Sequence, residues 1–364
     1  MNNKPACIFA HISRTLLGLV FLFSGSVKAI DPLGTTYKIE DYLKAFGGFF
    51  TDLVPMAQTA AFVLIGLEFV LGVCLVLNIR PQWTSWLTLA FYAFMTPLTL
   101  YIAIKNPVSD CGCFGDAIIL TNWQTFWKNI ILLCLVIIWL CTKKNAPGRW
   151  VWQAECVIVL ISSVAVICFM IWTLRHLPIR DFRPYKVGNN LPELMEYPDD
   201  AEPDEYEITL IYEKDGVEQT FTLENYPKGD SAWTFVNQQS KLIKKGYEPP
   251  IHDFEILNAD EEDITYDILE SEDPVTLVIM YDLKKTETDN LDLVANLPEE
   301  NKYYITGSGT NDIVAFCLQH PLFNAEDFCN CDPVTLKTIV RANPGIVIIQ
   351  NGIVQKKFNA RDLK

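Results

Sequence analysis

Five stretches of this 364-residue chain are each long and apolar enough to cross the hydrocarbon layer of a membrane as a helix, which takes roughly 17 to 25 residues. They run from Ile8 to Ile30, Ala57 to Ile79, Trp83 to Ile104, Thr125 to Cys141 and Val151 to Leu174. The fourth is the shortest, but Trp123 and Trp127 at one end and Lys143 and Lys144 at the other are the side chains expected where a span meets the membrane surface. A small-x-small cleavage site would mark the first run as a signal peptide. Lys28 and Asp31-Pro32 follow it instead, so it is read as a retained span.

Charge divides the chain in two. The net charge is −15, yet the first half is slightly basic, so the acidity lies after about residue 180. A strongly acidic soluble half without a basic stripe excludes nucleic acid as a partner and leaves membrane lipids and proteins. The positive charges also orient the spans. Lys4 and Arg14, then Arg80, then Lys143, Lys144 and Arg149 share one side, which is the cytoplasm if basic residues stay inside. The N-terminus is then cytoplasmic. The loops at 31–56 and 105–124 face outward, and an odd number of spans carries the C-terminal half out with them.

Some residues inside the runs do not suit lipid. Arg14, Gly18, Phe21, Gly25 and Lys28 recur at three- and four-residue steps, presenting small residues where a second helix can approach closely. Glu68 lies well inside the second run and has to face the bundle interior, since a charge in hydrocarbon costs a few kcal/mol unless paired or neutral. It suits proton handling or contact with a quinone, and equally a structural hydrogen bond to a neighbouring helix.

The outward loop at 105–124 contains Asp110-Cys111-Gly112-Cys113-Phe114-Gly115-Asp116. Two thiols one residue apart in an oxidising compartment form a natural redox pair. A disulfide between them would close a very small, strained ring that is easily reduced, which suits a relay better than a staple. Thiols that stay reduced, or that bond to other cysteines, are the alternatives. The four histidines are scattered, so no metal site is expected.

These residues resemble the DoxX and MauE superfamily of small four-helix membrane proteins. The likeness rests on Arg14, Gly18, Phe21, Ser24-Gly25 and Lys28 in the first span, Glu68 and Gly72 in the second, and the CGCFGD string. It covers about residues 8 to 142. It implies that Cys111 and Cys113 exchange electrons. The MauE branch is associated with thiol-disulfide maturation of periplasmic methylamine dehydrogenase, and its bundle is similar in outline to quinone-linked disulfide-forming enzymes. A quinone is therefore the cofactor the resemblance brings with it. A fifth span and a large soluble domain depart from the family pattern, and the substrate does not carry over.

The soluble half reads as an acidic, proline-rich extended linker from Arg180 to Glu207, then a hairpin of Tyr206–Tyr212 and Val217–Leu223 turning at Asp215-Gly216. Alternating strands and helices follow from His252 onward, ending in a hairpin at Asn351-Gly352, which makes an α/β layered domain. The closing helix, Pro344, strand, turn and strand resemble the second half of a thioredoxin fold, in which Pro344 would be the proline that is commonly cis. The segment after Val275–Tyr281 has no C-x-x-C, so the domain is not expected to carry its own thioredoxin chemistry. Cys329 and Cys331 form a second C-x-C before a helix start, where the helix dipole would lower a thiol pKa, and Cys317 is positioned to pair with either. Local structure is the alternative for all three.

The expected organisation is therefore a four-helix transmembrane domain over 1–145, a fifth span in 146–180, a linker and hairpin region over 181–250, and a thioredoxin-like extracytoplasmic domain over 251–364. The expected function is thiol-disulfide electron transfer at the outer face of the inner membrane, with extracytoplasmic protein thiols or a redox protein as partner. The rival is a non-catalytic membrane anchor or envelope-assembly protein with a soluble partner-binding domain.

Overall fold

Each of the five apolar runs forms a helix long and apolar enough to cross a membrane: α1 (Lys4–Ile30), α3 (Ala57–Leu77), α4 (Pro81–Lys105), α5 (Asn122–Thr142) and α6 (Trp152–Arg175). The computed structural model describes residues 4–108, 110–142, 150–198, 200–203, 205–214, 216–229, 232–244, 246–298 and 301–363. Lys143, Lys144, Arg149 and Asp215, used above for orientation and for the hairpin turn, lie outside the described residues.

Glycine lets α1 and α3 pack almost backbone to backbone. A Cβ on Gly25 would sit 2.7 Å from the Phe69 amide nitrogen, and one on Gly72 would sit 2.7 Å from that of Leu22. Arg14 uses the same interface to cap α3, donating to the Leu75 carbonyl and, at 2.8 Å, to that of Val76. On the other side of the bundle, α4 turns Thr84, Thr88, Thr96 and Thr99 inward, and Thr99 accepts a 3.2 Å bond from Asn129 of α5. α1 packs on α3 and α5, and α5 on α4, whereas α3 and α4 touch each other little. α6 lies against α3, and Glu155 near its start pairs with Arg80 at 3.0 Å in the tight turn between α3 and α4.

The first loop differs from the sequence reading. It folds into α2 (Pro32–Phe46) and a 3-10 helix at Gly48–Met56. The start signal is present in Asp31-Pro32. Asp31 caps the Gly34 N–H at 3.0 Å, and proline takes the first helical position, where its missing N–H costs nothing. The length of α2 falls short of a span, so a search for spans passes over it.

The soluble half holds two sheets. β1 (Glu205–Lys214), β2 (Val217–Thr222) and β3 (Thr234–Lys244) form an antiparallel sheet in the order β2-β1-β3. The expected hairpin is thus joined by a third strand whose polar sequence concealed it. The second sheet contains β4 (Val275–Ile279), β5 (Lys302–Thr306), β6 (Phe328–Asn330), β7 (Gly345–Gln350) and β8 (Ile353–Asn359) in the order β6-β5-β4-β7-β8. β4, β5 and β6 run parallel, and β7 and β8 add antiparallel strands. Apolar clusters cover both faces, one around Ile256, Leu277, Leu336 and Val347, the other around Val278, Tyr304, Phe316 and Ile346. The Asn343–Pro344 peptide is cis.

The stretch expected as an extended linker instead packs on this second sheet. Tyr185 and Leu191 are buried in its core, and Asn190 bridges to Ile353. A few apolar anchors outweigh the proline-rich, acidic composition of the segment.

Candidate functional site

Gly112 and Gly115 shape the loop between α4 and α5. Both have positive φ, +63° and +52°, and the Gly115 N–H closes the turn on the Gly112 carbonyl at 3.1 Å. Asn122, at the start of α5, pins the loop by donating to the Val108 carbonyl at 2.8 Å. Asp110 accepts from the Gly112 N–H at 2.9 Å and pairs with Lys38 of α2 at 2.8 Å. The loop is therefore held from both α5 and α2.

This turn brings the Cys111 and Cys113 Sγ atoms 3.3 Å apart, both half-buried and both free thiols. Their environments pull them in opposite directions. The hydrogen bond from Cys111, the Lys128 ammonium and the Lys28 ammonium lower the Cys113 pKa to about 6 against the opposing effect of burial. The hydrogen bond with Cys113 and burial push Cys111 well above the usual thiol range. One thiol is thus poised as a thiolate beside a neighbour that keeps its proton, the division of labour that thiol exchange uses.

Beneath the loop lies a buried ion pair. Glu68 of α3 is 4% exposed and pairs with Lys28 of α1 at 2.7 Å. Its other oxygen accepts from the Ser24 hydroxyl at 2.8 Å, and the same hydroxyl lies 2.8 Å from the Cys113 carbonyl. Glu68 therefore faces the bundle interior, as its sequence position requires. The Gly and polar positions of α1 noted in the sequence divide their roles: Gly25 admits α3, while Ser24 and Lys28 receive its carboxylate.

Thiols and ion pair line one cavity of about 450 Å³ enclosed by α1, α3 and α4 and covered by α2. Its walls are mainly apolar, with Phe21, Leu64, Phe91, Met95 and Leu98 among them.

The soluble half sits on the same end of the bundle. Arg341, which follows the helix α7 (Pro333–Ile339), pairs with Asp31 at 2.9 Å and with Asp116 at 3.4 Å, and is 7% exposed. Burial opposes ionisation of Asp31, but Arg341, Arg183 and the Gly34 N–H together hold its pKa below the usual carboxylate range. At Asp116 burial prevails over Arg341, and the pKa is raised. Tyr37 of α2 meets Tyr281, just beyond β4, with their hydroxyls 3.2 Å apart, and Lys337 lies 4.9 Å from the centre of the Tyr37 ring. His176 after α6 bonds Asp362 at 2.7 Å. None of these contacts is legible in the sequence, because each joins residues remote in the chain.

Cys329 and Cys331 do not match the expectation of lowered pKa values. Cys329 lies in β6, both side chains are buried in the sheet core, and burial drives their pKa values up to about 11 and 12. The following helix, α7, is too short and the surroundings too apolar for its dipole to offset that burial. Cys317 is likewise raised by burial, and all three are free thiols.

The fold and this site describe a multi-pass membrane protein with a thiol-bearing loop at one end of its bundle and a β-rich C-terminal half seated beside it. Residues 6–142 match the family model of methylamine utilisation protein MauE, so the membrane half is MauE-like. Residues 206–245, which span the three-stranded sheet, match a domain of unknown function (DUF8463). No curated protein and no solved structure matches the chain.

Proposed function

We propose that the protein is a thiol-disulfide relay of the inner membrane, with Cys111 and Cys113 on the extracytoplasmic side. The observation that carries this reading is the pair itself: two sulfurs 3.3 Å apart, Cys113 drawn down to about 6 and Cys111 held protonated. As an oxidant of partner proteins, the pair starts as a disulfide. A partner thiolate attacks one sulfur and forms a mixed disulfide; the partner's second thiol then resolves it. The partner gains a disulfide, and Cys111 and Cys113 are left as two thiols.

The likeness of residues 6–142 to MauE supports a role in redox maturation of extracytoplasmic proteins. The five-stranded sheet and its helices form a thioredoxin-like domain with no C-x-x-C after β4. Its parallel β6-β5-β4 strands and antiparallel β7 and β8 support that assignment, and the end of β4, where a thioredoxin carries its thiols, here presents Tyr281 to Tyr37. It serves to position partners next to the loop.

Thiol trapping in intact cells tests the reading. A membrane-impermeant maleimide should label Cys111 and Cys113 only after reductant, and the labelling should vanish in the Cys111→Ser, Cys113→Ser double variant. Labelling only after lysis would reject the outward placement. Full labelling without reductant, in cells whose partner proteins are normally oxidised, would reject the relay.

A further inference from the structure

Helix α2 brings two side chains to the thiol loop, one helical turn apart. Lys38 pairs with Asp110 at 2.8 Å and lies against Gly112, where an added Cβ would meet its Cγ at 3.0 Å. Tyr42 places its hydroxyl 3.4 Å from the Asp110 carbonyl and in hydrogen-bond contact with the Cys111 thiol. Burial holds that phenol above its usual range, so it keeps its proton and donates. Helix α5 supplies the counterpart. Lys128 Nζ lies 4.4 Å from the centre of the Phe114 ring and hydrogen-bonds the Cys113 thiol. The two sulfurs are 3.3 Å apart, yet each has its own partner from a different helix, a neutral donor for Cys111 and a cation for Cys113.

Thiol-disulfide exchange expels a sulfur twice. In the first step a partner thiolate attacks one sulfur of the Cys111–Cys113 bond and expels the other. In the second, the partner's remaining thiolate expels the sulfur that carried the mixed disulfide. A sulfur leaves faster the better its thiolate is held. Cys113 takes the Cys111 hydrogen bond, faces Lys128 and Lys28, and is drawn down to about 6, which makes it the better first leaving group. Cys111, held well above the usual thiol range by its hydrogen bond with Cys113 and by burial, leaves poorly without a donor, and Tyr42 is placed to be one. The reduced pair is the state in which these steps end, so the contacts on each sulfur are those it gains on leaving.

We propose that Cys111 carries the mixed disulfide, and that Lys128 and Tyr42 are catalytic residues for its formation and its resolution respectively. This deepens the relay reading and rests on it. The partner thiolate bonds to the Cys111 Sγ, the Cys111–Cys113 bond breaks, and its electron pair goes to Cys113 as a thiolate beside the Lys128 ammonium. The partner's second thiolate then attacks the partner sulfur of the mixed disulfide. That bond breaks with its electron pair on Cys111, whose developing charge accepts the Tyr42 O–H hydrogen bond until a proton arrives from water. Of the two protons that the partner thiols give up, one is thereby balanced on Cys111 and the other stays in solvent. The partner is oxidised by two electrons, and the Cys111/Cys113 pair is reduced by two.

The test uses the full chain in detergent, oxidised with diamide and freed of it, with an unstructured synthetic peptide carrying two cysteines as probe. Reactions are quenched in acid, and the mixed disulfide is located and quantified by peptide mass spectrometry. Consumption of peptide thiols by the wild type reports on the relay itself, and the position of the adduct reports on this proposal. The peptide should be found on Cys111 about tenfold or more above Cys113. Lys128→Met should slow formation of the adduct by about three- to tenfold, and Lys128→Arg should restore it. Tyr42→Phe should slow resolution instead, so that the adduct accumulates. A merely structural role for either residue would slow both steps together. An adduct mainly on Cys113, equal slowing of both steps in Lys128→Met, or no accumulation in Tyr42→Phe would each overturn the proposal while the wild type still oxidised the peptide. A wild type that oxidises no peptide would overturn the relay along with it.

Discussion

The hydroxyl of Ser24, in the first span, lies 2.8 Å from the backbone carbonyl of Cys113 in the loop. The same oxygen lies 2.8 Å from Glu68, so one O–H proton serves two acceptors. The loop and the buried ion pair are thereby tied through one side chain. Ser24→Ala should keep the fold but cost about 1 kcal/mol and loosen the turn. Thermal unfolding should fall by a few degrees and alkylation of Cys113 should quicken; an unchanged alkylation rate would show that Ser24 does not hold the loop.

Glu68 and Lys28 are nearly fully buried, so removing one strands the other. Glu68→Leu should lower stability by about 3 to 5 kcal/mol, because it leaves an ammonium in the bundle without its counter-charge. Adding Lys28→Met should recover most of that loss. Denaturation of single and double variants in the same detergent measures both, and a double variant no more stable than Glu68→Leu would mean the pair does not act as a unit.

Cys113 should react with maleimide as a thiolate at mildly acidic pH. Its pKa is lowered to about 6, so the rate should climb through that value and level off above pH 7, whereas an ordinary thiol still gains reactivity toward about pH 8.5. Cys111→Ala removes the largest contribution to the lowering and should move the midpoint upward. A midpoint that stays near 6 in that variant would assign the effect to Lys128 and Lys28 instead.

Arg341 joins the soluble half to the bundle through Asp31 and Asp116. Arg341→Ala should release this seat and expose residues 176–190 to protease in the detergent-solubilised protein, with the membrane helices intact. A Tyr37→Cys, Tyr281→Cys pair, built where the two hydroxyls meet, should cross-link readily in the parent chain and poorly once Arg341 is lost. Equal cross-linking with and without Arg341 would show that the other contacts suffice.

Much of this architecture could be read from the sequence because the bilayer imposes a length and a polarity that few segments meet by accident. The five spans and the inward facing of Glu68 followed from that constraint. So did the close approach of α1 and α3 at Gly25 and Gly72, since small residues at helical spacing admit a neighbouring backbone. The strands β4, β5, β7 and β8 were legible from their apolar runs and turn residues. α2 is hard to read because its start signal, Asp31-Pro32, follows directly on a membrane run and so resembles the end of a span as much as the beginning of a second helix. β3 was missed because Asn237, Gln238, Gln239 and Ser240 carry little strand propensity, and its pairing with β1 supplies what local sequence does not.

The candidate site divides along the same line. Cys111 and Cys113 stood out by their spacing, and Lys28 and Glu68 by their cost in lipid. Their union with Ser24 depends on the register of α1 against α3, which the sequence expresses only as a set of compatible faces. Cys329 and Cys331 show the reverse error. A position before a helix suggested activation, but burial in a sheet core decides the outcome, and burial is a property of the tertiary fold.

Asp31 holds two posts at once: it caps the first turn of α2 and it receives Arg341 from more than three hundred residues away. The halves of this chain are for that reason poor candidates for exchange as cassettes. A MauE-like bundle grafted to a foreign soluble domain would keep a helix cap whose second partner had gone, and the same soluble domain on another anchor would carry a guanidinium with nothing to meet. Chimeras that preserve Asp31, Asp116 and Arg341 together are the ones expected to assemble.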